Sequence, residues 1–174
     1  MIKKVLILVM LFLSLLNASG KTEQAGDILM VLIPIVTVFP SIYMQDTDAQ
    51  IEFLKAYEST KLLTQLLKVT VREKRPNGES TTSFPSGHTS SAFSGATFIH
   101  KKYGFYYALP AYVGAVYTGY SRVYAKKHYT HDVIAGAVLG MGLSWYFTTP
   151  YDEGMKFTPL VSSGYYGLVL DYKW

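Results

Sequence analysis

The stretch from Lys68 to Asp132 constrains this chain most, because three short clusters within it organise everything else. The first is Lys68, six residues, then Arg75-Pro76. The second is Pro85-Ser86-Gly87-His88. The third is Ser121-Arg122, five residues, His128, three residues, Asp132. Between and around them lie segments that read as helices. Asp48 to about Val71 is amphipathic, with Ile51, Leu54, Leu62, Leu66 and Val69 near helical spacing, and Asp46-Thr47-Asp48 supplies an N-cap. Ser86 or Gly87 to Lys102 is a helix of small residues, among them Ala92, Ser94, Gly95 and Ala96, which permit close helix–helix approach. Phe105 to Tyr120 and Val133 to Phe147 are apolar, and Gly136, Gly140 and Gly142 predict tight packing in the second. Gly26 to Met44 is an apolar stretch broken by Pro34 and Pro40, either a kinked membrane helix or a buried core helix. Arg72 to Thr82 is a polar loop with an Asn77-Gly78 turn, and Arg72 and Lys74 read as solvated charges there.

The clusters supply three cations, two histidines, one carboxylate and a glycine turn at a helix start. A phosphoryl group in transfer spreads negative charge over three equatorial oxygens. Fixed cations oppose that charge where no metal does. Lys68, Arg75 and Arg122 suit the task, and both arginines offer bidentate geometry. Backbone N–H groups at the helix start after Ser86-Gly87 point at an anion, helped by the helix dipole. A neutral imidazole can attack phosphorus and form a phosphohistidine, provided a carboxylate holds its tautomer. His128 and Asp132, four apart, share one face of a helical turn, and His88 is then free to protonate the leaving oxygen.

These clusters resemble the complete three-part signature of the type 2 phosphatidic acid phosphatase superfamily, which includes lipid phosphate phosphatases, bacterial nonspecific acid phosphatases and vanadium haloperoxidases. Every motif position matches in order, over about 65 of the 174 residues. The resemblance implies an all-α bundle of about five to six helices carrying a metal-independent phosphatase without cofactors. It also implies His128 as nucleophile, Asp132 as its orienter and His88 as acid. Lys68, Arg75, Ser86, Gly87 and Arg122 become the phosphate ligands. His128, His131 and Asp132 also resemble a zinc set, two histidines three apart with a carboxylate. The motif claims His128 and Asp132 for phosphoryl transfer and leaves His131 outside. His100, beside Lys101-Lys102, reads as a surface residue at a helix C-terminus.

The ends differ in character. Residues 1–20 read as an export signal or N-terminal anchor: Lys3-Lys4, an apolar core from Val5 to Leu16, then Ala18-Ser19-Gly20. Residues 21–150 form the helical phosphatase domain. Residues 151–174 are an extension with alternating residues around Ser162-Ser163-Gly164, expected as a small β-hairpin that covers the bundle. The absence of cysteine excludes disulfides and thiolate metal sites. The net charge of +4 is modest and implies no nucleic-acid partner.

If every apolar stretch spans a membrane, Lys3-Lys4 and Lys101-Lys102 fall inside and all three clusters outside. Asp48–Val71 is too charged, and Ser86–Lys102 too short and polar, to favour full spanning. The expected protein is exported, in the periplasm or in the inner membrane with its site on the periplasmic side. Its expected substrate is a phosphorylated lipid such as phosphatidate, a prenyl diphosphate or lipid A. The rival readings are a soluble periplasmic acid phosphatase, a vanadate-dependent peroxidase, and a non-catalytic envelope binding or structural protein.

Overall fold

The computed structural model describes residues 21–151, 155–162 and 165–172, the last two segments as backbone only; the expected export signal lies outside them. Five helices follow one another: α1 Lys21–Tyr43, α2 Thr47–Val71, α3 Gly87–Tyr103, α4 Phe105–Tyr124 and α5 Thr130–Phe147. They form an all-α bundle. Strands β1 Met155–Ser162 and β2 Tyr165–Tyr172 then pair antiparallel, from Met155 opposite Tyr172 to Ser162 opposite Tyr165.

Local chemistry sets the helix limits. Asp46 caps α2 by accepting the Ala49 N–H at 2.9 Å. Arg72 ends α2 in the left-handed region, φ 51°, its N–H bonded to the Lys68 carbonyl. Gly104 alone separates α3 from α4, and its φ of 106° is open only to glycine at low cost. Asp132, three residues past the N-cap of α5, accepts the Tyr129 N–H at 2.8 Å.

Helix α3 is the hub. It packs on α5 and α4 most extensively and also touches α1 and α2. Its small residues make this possible. A methyl group on Gly136 would lie 2.5 Å from the Ser86 carbonyl oxygen, and one on Gly140 would strike the Ser90 carbonyl. The two backbones therefore approach along a ridge of glycine in α5 and serine in α3. A second cluster of Leu29, Ile33, Ala92, Ala96 and Ala115 joins α1, α3 and α4.

The interior is small and polar, and the large apolar residues lie outside. Thr37, Thr60, Ser90, Ser94, Thr118 and Ser144 are all buried. Ile28, Val36, Leu62, Val116, Ile134 and Val138 are all exposed. This corrects the expected packing of α2. Ile51, Leu54, Leu62, Leu66 and Val69 face outward, while Ala49, Phe53, Ala56, Thr60 and Thr64 face the bundle. Small side chains let helices meet closely, so the closest approach falls to Ala and Thr and the bulky stripe is left outside.

His100 also departs from expectation. It is half-buried, 3.1 Å from the Tyr112 hydroxyl, among the rings of Phe105, Tyr112 and Trp145. Lys102 is buried rather than free at the surface, and its Nζ donates to Glu52 at 3.0 Å. That pair borders an open cavity of about 620 Å³ beside Asp46, Lys55 and Tyr151, at the end of α3 away from Ser86.

Candidate active site

The C-terminal ends of α2 and α4, the N-terminal ends of α3 and α5, and the 72–86 loop meet at one end of the bundle. All eight expected site residues lie there. The Ser86 N–H donates to the Asp132 carbonyl at 3.0 Å, which ties the second cluster to the third. Lys68 donates through Nζ to the Thr82 carbonyl at 2.6 Å, which ties the first to the loop entering the second. That loop closes on itself around the Asn77-Gly78 turn, with the Arg75 N–H on the Ser80 carbonyl at 2.8 Å. Phe84-Pro85 is a cis peptide. Gly87 opens α3, and a methyl group there would sit 3.8 Å from Lys68 Cε. The buried Ser86 side chain makes no capping bond, so it leaves the first-turn N–H groups of α3 to another acceptor.

His128 is buried, and its Nδ1 lies 3.5 Å from Asp132 Oδ2, within ion-pair reach but outside hydrogen-bond geometry. Such contacts often tighten only when substrate binds. Asp132 is locked in place, because its Oδ2 also accepts from Ser83 Oγ at 2.5 Å and from the Tyr129 N–H. Burial pushes the His128 imidazole down to about 4, reinforced by Lys68 and Arg75 and opposed by Asp132. The ring is therefore neutral at pH 7, as a nitrogen nucleophile requires. Burial and Arg75 lower Lys68 to about 8, against the pull of Asp132. The buried Arg75 Nε has no hydrogen-bond partner among the described residues. A guanidinium N–H left open beside Lys68 and His128 suits an anion.

His88 and Arg122 form the other wall. Arg122 is buried and donates through Nη1 to Asp27 at 2.7 Å, through Nη2 to the Glu23 carbonyl, and through Nε to Ser121 Oγ at 3.0 Å. His88 Nε2 lies 2.9 Å from the same Asp27 oxygen. Burial pushes the His88 imidazole down, with Arg122 adding to the effect and Asp27 opposing it. The charge of Arg75 acts on both histidines.

Sequence reasoning missed Asp27 and Ser83. Asp27 carried a signal, since it is the one charged residue in the apolar stretch from Gly26 to Met44. Ser83 carried none, because a serine near a turn is common. The suggested zinc set is rearranged. His131 turns to Glu73 Oε1 at 2.9 Å, and Glu73, His131 and Asp132 bring their ligand atoms within 4.8 Å of one another, without His128.

Fold and site together define a helix-bundle protein with a cationic cradle set against two histidines. Residues 49–154 match the model of the PAP2 superfamily, and the chain belongs to that family. It is 36% identical over 107 residues to a lipid A 4'-phosphatase from Helicobacter pylori, covering 58% of this chain and 54% of that protein. It is 41% identical over 70 residues to a lipid A 1-phosphatase from Porphyromonas gingivalis, covering 38% of this chain and 16% of that protein. The chain thus spans about half, or less, of the length of these relatives. The crystal structure of LpxE from Aquifex aeolicus shares the fold, with a TM-score of 0.64 at 21% identity over 80% of this chain and 93% of that one.

Proposed function

We propose that this protein is a metal-independent phosphatase that hydrolyses phosphate monoesters or diphosphates of lipids through a phosphohistidine. One observation carries the reading: the cradle sits at one end of a bundle whose outer surface is apolar. The phosphate rests against Lys68, Arg75, Arg122 and the N–H groups after Ser86. His128 Nε2 attacks phosphorus while Asp132 holds Nδ1. His88 gives a proton to the departing oxygen as the P–O bond breaks. Water then attacks the phosphohistidine and returns a proton to His88, and the P–N bond breaks to release phosphate.

A lipid substrate is supported by the surface. Helix α1 is long and apolar enough to cross a membrane over Thr22–Tyr43, and it is the one such helix among the described residues. The exposed apolar faces of α4 and α5 continue that surface. Helix α4 spans about 30 Å at 1.5 Å per residue, the thickness of a bilayer's hydrocarbon core. Exposed aromatics mark both its ends, Phe105 and Tyr106 at one, Tyr120 and Tyr124 at the other. The cradle lies at the Tyr120–Tyr124 end, where a lipid phosphate would sit. Lys101 lies at the opposite end, over the Trp145 ring at 4.3 Å, which supports a cytoplasmic position for that end and a periplasmic one for the site. The named substrates of the relatives make the lipid A phosphates the first to test.

The test is phosphate release by the purified full chain, with EDTA present, from lipid A, phosphatidate, undecaprenyl diphosphate and a soluble aryl phosphate. Release mainly from lipids, abolished by His128→Ala, supports the proposal. Equal release from the soluble ester favours a periplasmic acid phosphatase, and full activity in His128→Ala overturns the mechanism.

A further inference from the structure

Each histidine of the site has its own carboxylate, but only one of the two carboxylates belongs to the recognised clusters. Asp132, in the first turn of α5, faces His128 in the loop just before that helix. The carboxylate at His88 comes from Asp27 in α1, before residue 49 where the family match begins. We propose that Asp27 is the positioning residue of the acid: it holds His88 Nε2 so that the ring presents Nδ1–H to the leaving oxygen. The inference rests on the phosphatase reading above.

Three observations carry it. Asp27 Oδ1 lies 2.9 Å from His88 Nε2 and 2.7 Å from Arg122 Nη1, so one oxygen joins the acid to a phosphate-binding cation. The placement of α1 is fixed by close packing, since a methyl group on Gly26 would strike Ser121 Oγ and sit 2.7 Å from Arg122 Nη2. The Glu23 carbonyl accepts from the same guanidinium, so the first turns of α1 form a third wall of the site. The Asp27 carboxylate is half-exposed.

The chemistry follows from the donor set. An acid must carry a proton on Nδ1 while Nε2–H is already donated, which is the imidazolium form. The charged groups that act on His88 are Asp27 from α1, Arg122 from α4 and Arg75 from the 72–86 loop. Both arginines oppose the imidazolium, and Asp27 is the one group among them that favours it. When the P–O bond breaks, Nδ1–H passes to the leaving oxygen. The neutral ring keeps Nε2–H on Asp27 and is aimed to take a proton back from the attacking water.

The experiment compares Asp27→Asn with the wild type in the full chain, on two leaving groups and across pH. An alkyl ester such as phosphatidate needs the acid, and 4-nitrophenyl phosphate, whose leaving group is stable as an anion, does not. Asp27→Asn is expected to lower kcat on the alkyl ester by about 100-fold, within the usual range for general acid catalysis. The aryl ester should change by less than about fivefold, and the basic limb of the alkyl profile should move to lower pH. Asp27→Asn/His88→Ala should be no slower than His88→Ala. Equal losses on both esters with an unmoved pH profile would mean that Asp27 only braces Arg122, and would overturn the proposal. NMR titration of the His88 ring gives a readout without turnover. Its midpoint should fall by about one unit in Asp27→Asn. An unchanged midpoint overturns the positioning role even in an active enzyme. A shifted midpoint in a wild type that releases no phosphate places the failure in the phosphatase reading instead.

Discussion

At the scale of single residues, the two histidines have opposed requirements. In the proposed mechanism His128 must be neutral to attack, and His88 must be charged to donate. Burial beside Lys68 and Arg75 holds His128 down to about 4, so it stays neutral through the mildly acidic range. His88 is also lowered from its ordinary value, by burial and then by Arg122. Activity should therefore be bell-shaped with a mildly acidic optimum, falling below about pH 4 as His128 protonates and falling again as His88 loses its proton. A kcat profile on phosphatidate checks this, and a profile still rising through pH 8 would contradict it. A linked stability effect has a definite sign. The native His128 binds its proton only near pH 4, whereas the unfolded chain binds it near 6.5. The unfolded state thus gains protons first as pH falls, so stability drops between pH 6.5 and 4. Thermal melts across that window should show the drop, and His128→Gln should flatten it. That the three clusters belong together was legible from their residue types and spacing, and they do meet at one end of the bundle. Their partners were not. Ser83 and Asp27 act through contacts across 49 and 61 residues, and no local pattern encodes such distances.

At the scale of elements, the glycines of α5 divide by what faces them. Gly140 lies against the Ser90 carbonyl and Gly136 against the Ser86 carbonyl, while among the described residues nothing lies within 4 Å of where a methyl on Gly142 would sit. Gly140→Ala should destabilise by about 1–3 kcal/mol through overpacking. Gly142→Ala should be neutral or gain up to about 1 kcal/mol from helix propensity. Gly136→Ala should also cut kcat, because Ser86 begins the turn that carries His88. Melting temperatures of the three variants, with kcat for the second-cluster neighbour, check the ordering. The limits of α2 and α3 could be read closely in advance, since Asp46 and the loop at Asn77-Gly78 act locally, but α1 begins earlier than its apolar stretch, α4 runs on to Tyr124 and α5 already starts at Thr130. The inward face of α2 could not. A periodic apolar stripe identifies a face but not its direction, and Leu62 and Leu66 turn outward while Thr60 and Thr64 turn in. His100 was misread for a related reason: its partners Tyr112 and Trp145 reach it from two other helices.

At the scale of the whole molecule, the placement of bulk matters more than its amount. In water, an exterior bearing Ile28, Val36, Leu62, Val116, Ile134 and Val138 around a Ser, Thr and Ala interior has little hydrophobic reason to hold together. In a bilayer the same arrangement is favourable, because lipid covers the bulky residues and small ones let the helices meet. The two environments predict opposite outcomes for one pair of substitutions. Val116 and Val138 lie mid-helix on the exposed faces of α4 and α5. If those faces meet lipid, Val116→Lys and Val138→Lys each cost about 2.5–3.5 kcal/mol of insertion free energy. The double variant should then be depleted from carbonate-washed membranes and lose activity on lipid A. If the faces meet water, the same lysines remove an apolar patch, and the variant should be at least as abundant and more soluble than the wild type. Membrane fractionation with an activity assay on each fraction separates the two. Depletion would also bear on the proposed site, since the Tyr120–Tyr124 end of α4 would sit at the depth of a lipid phosphate only while the helix below it stays in the bilayer.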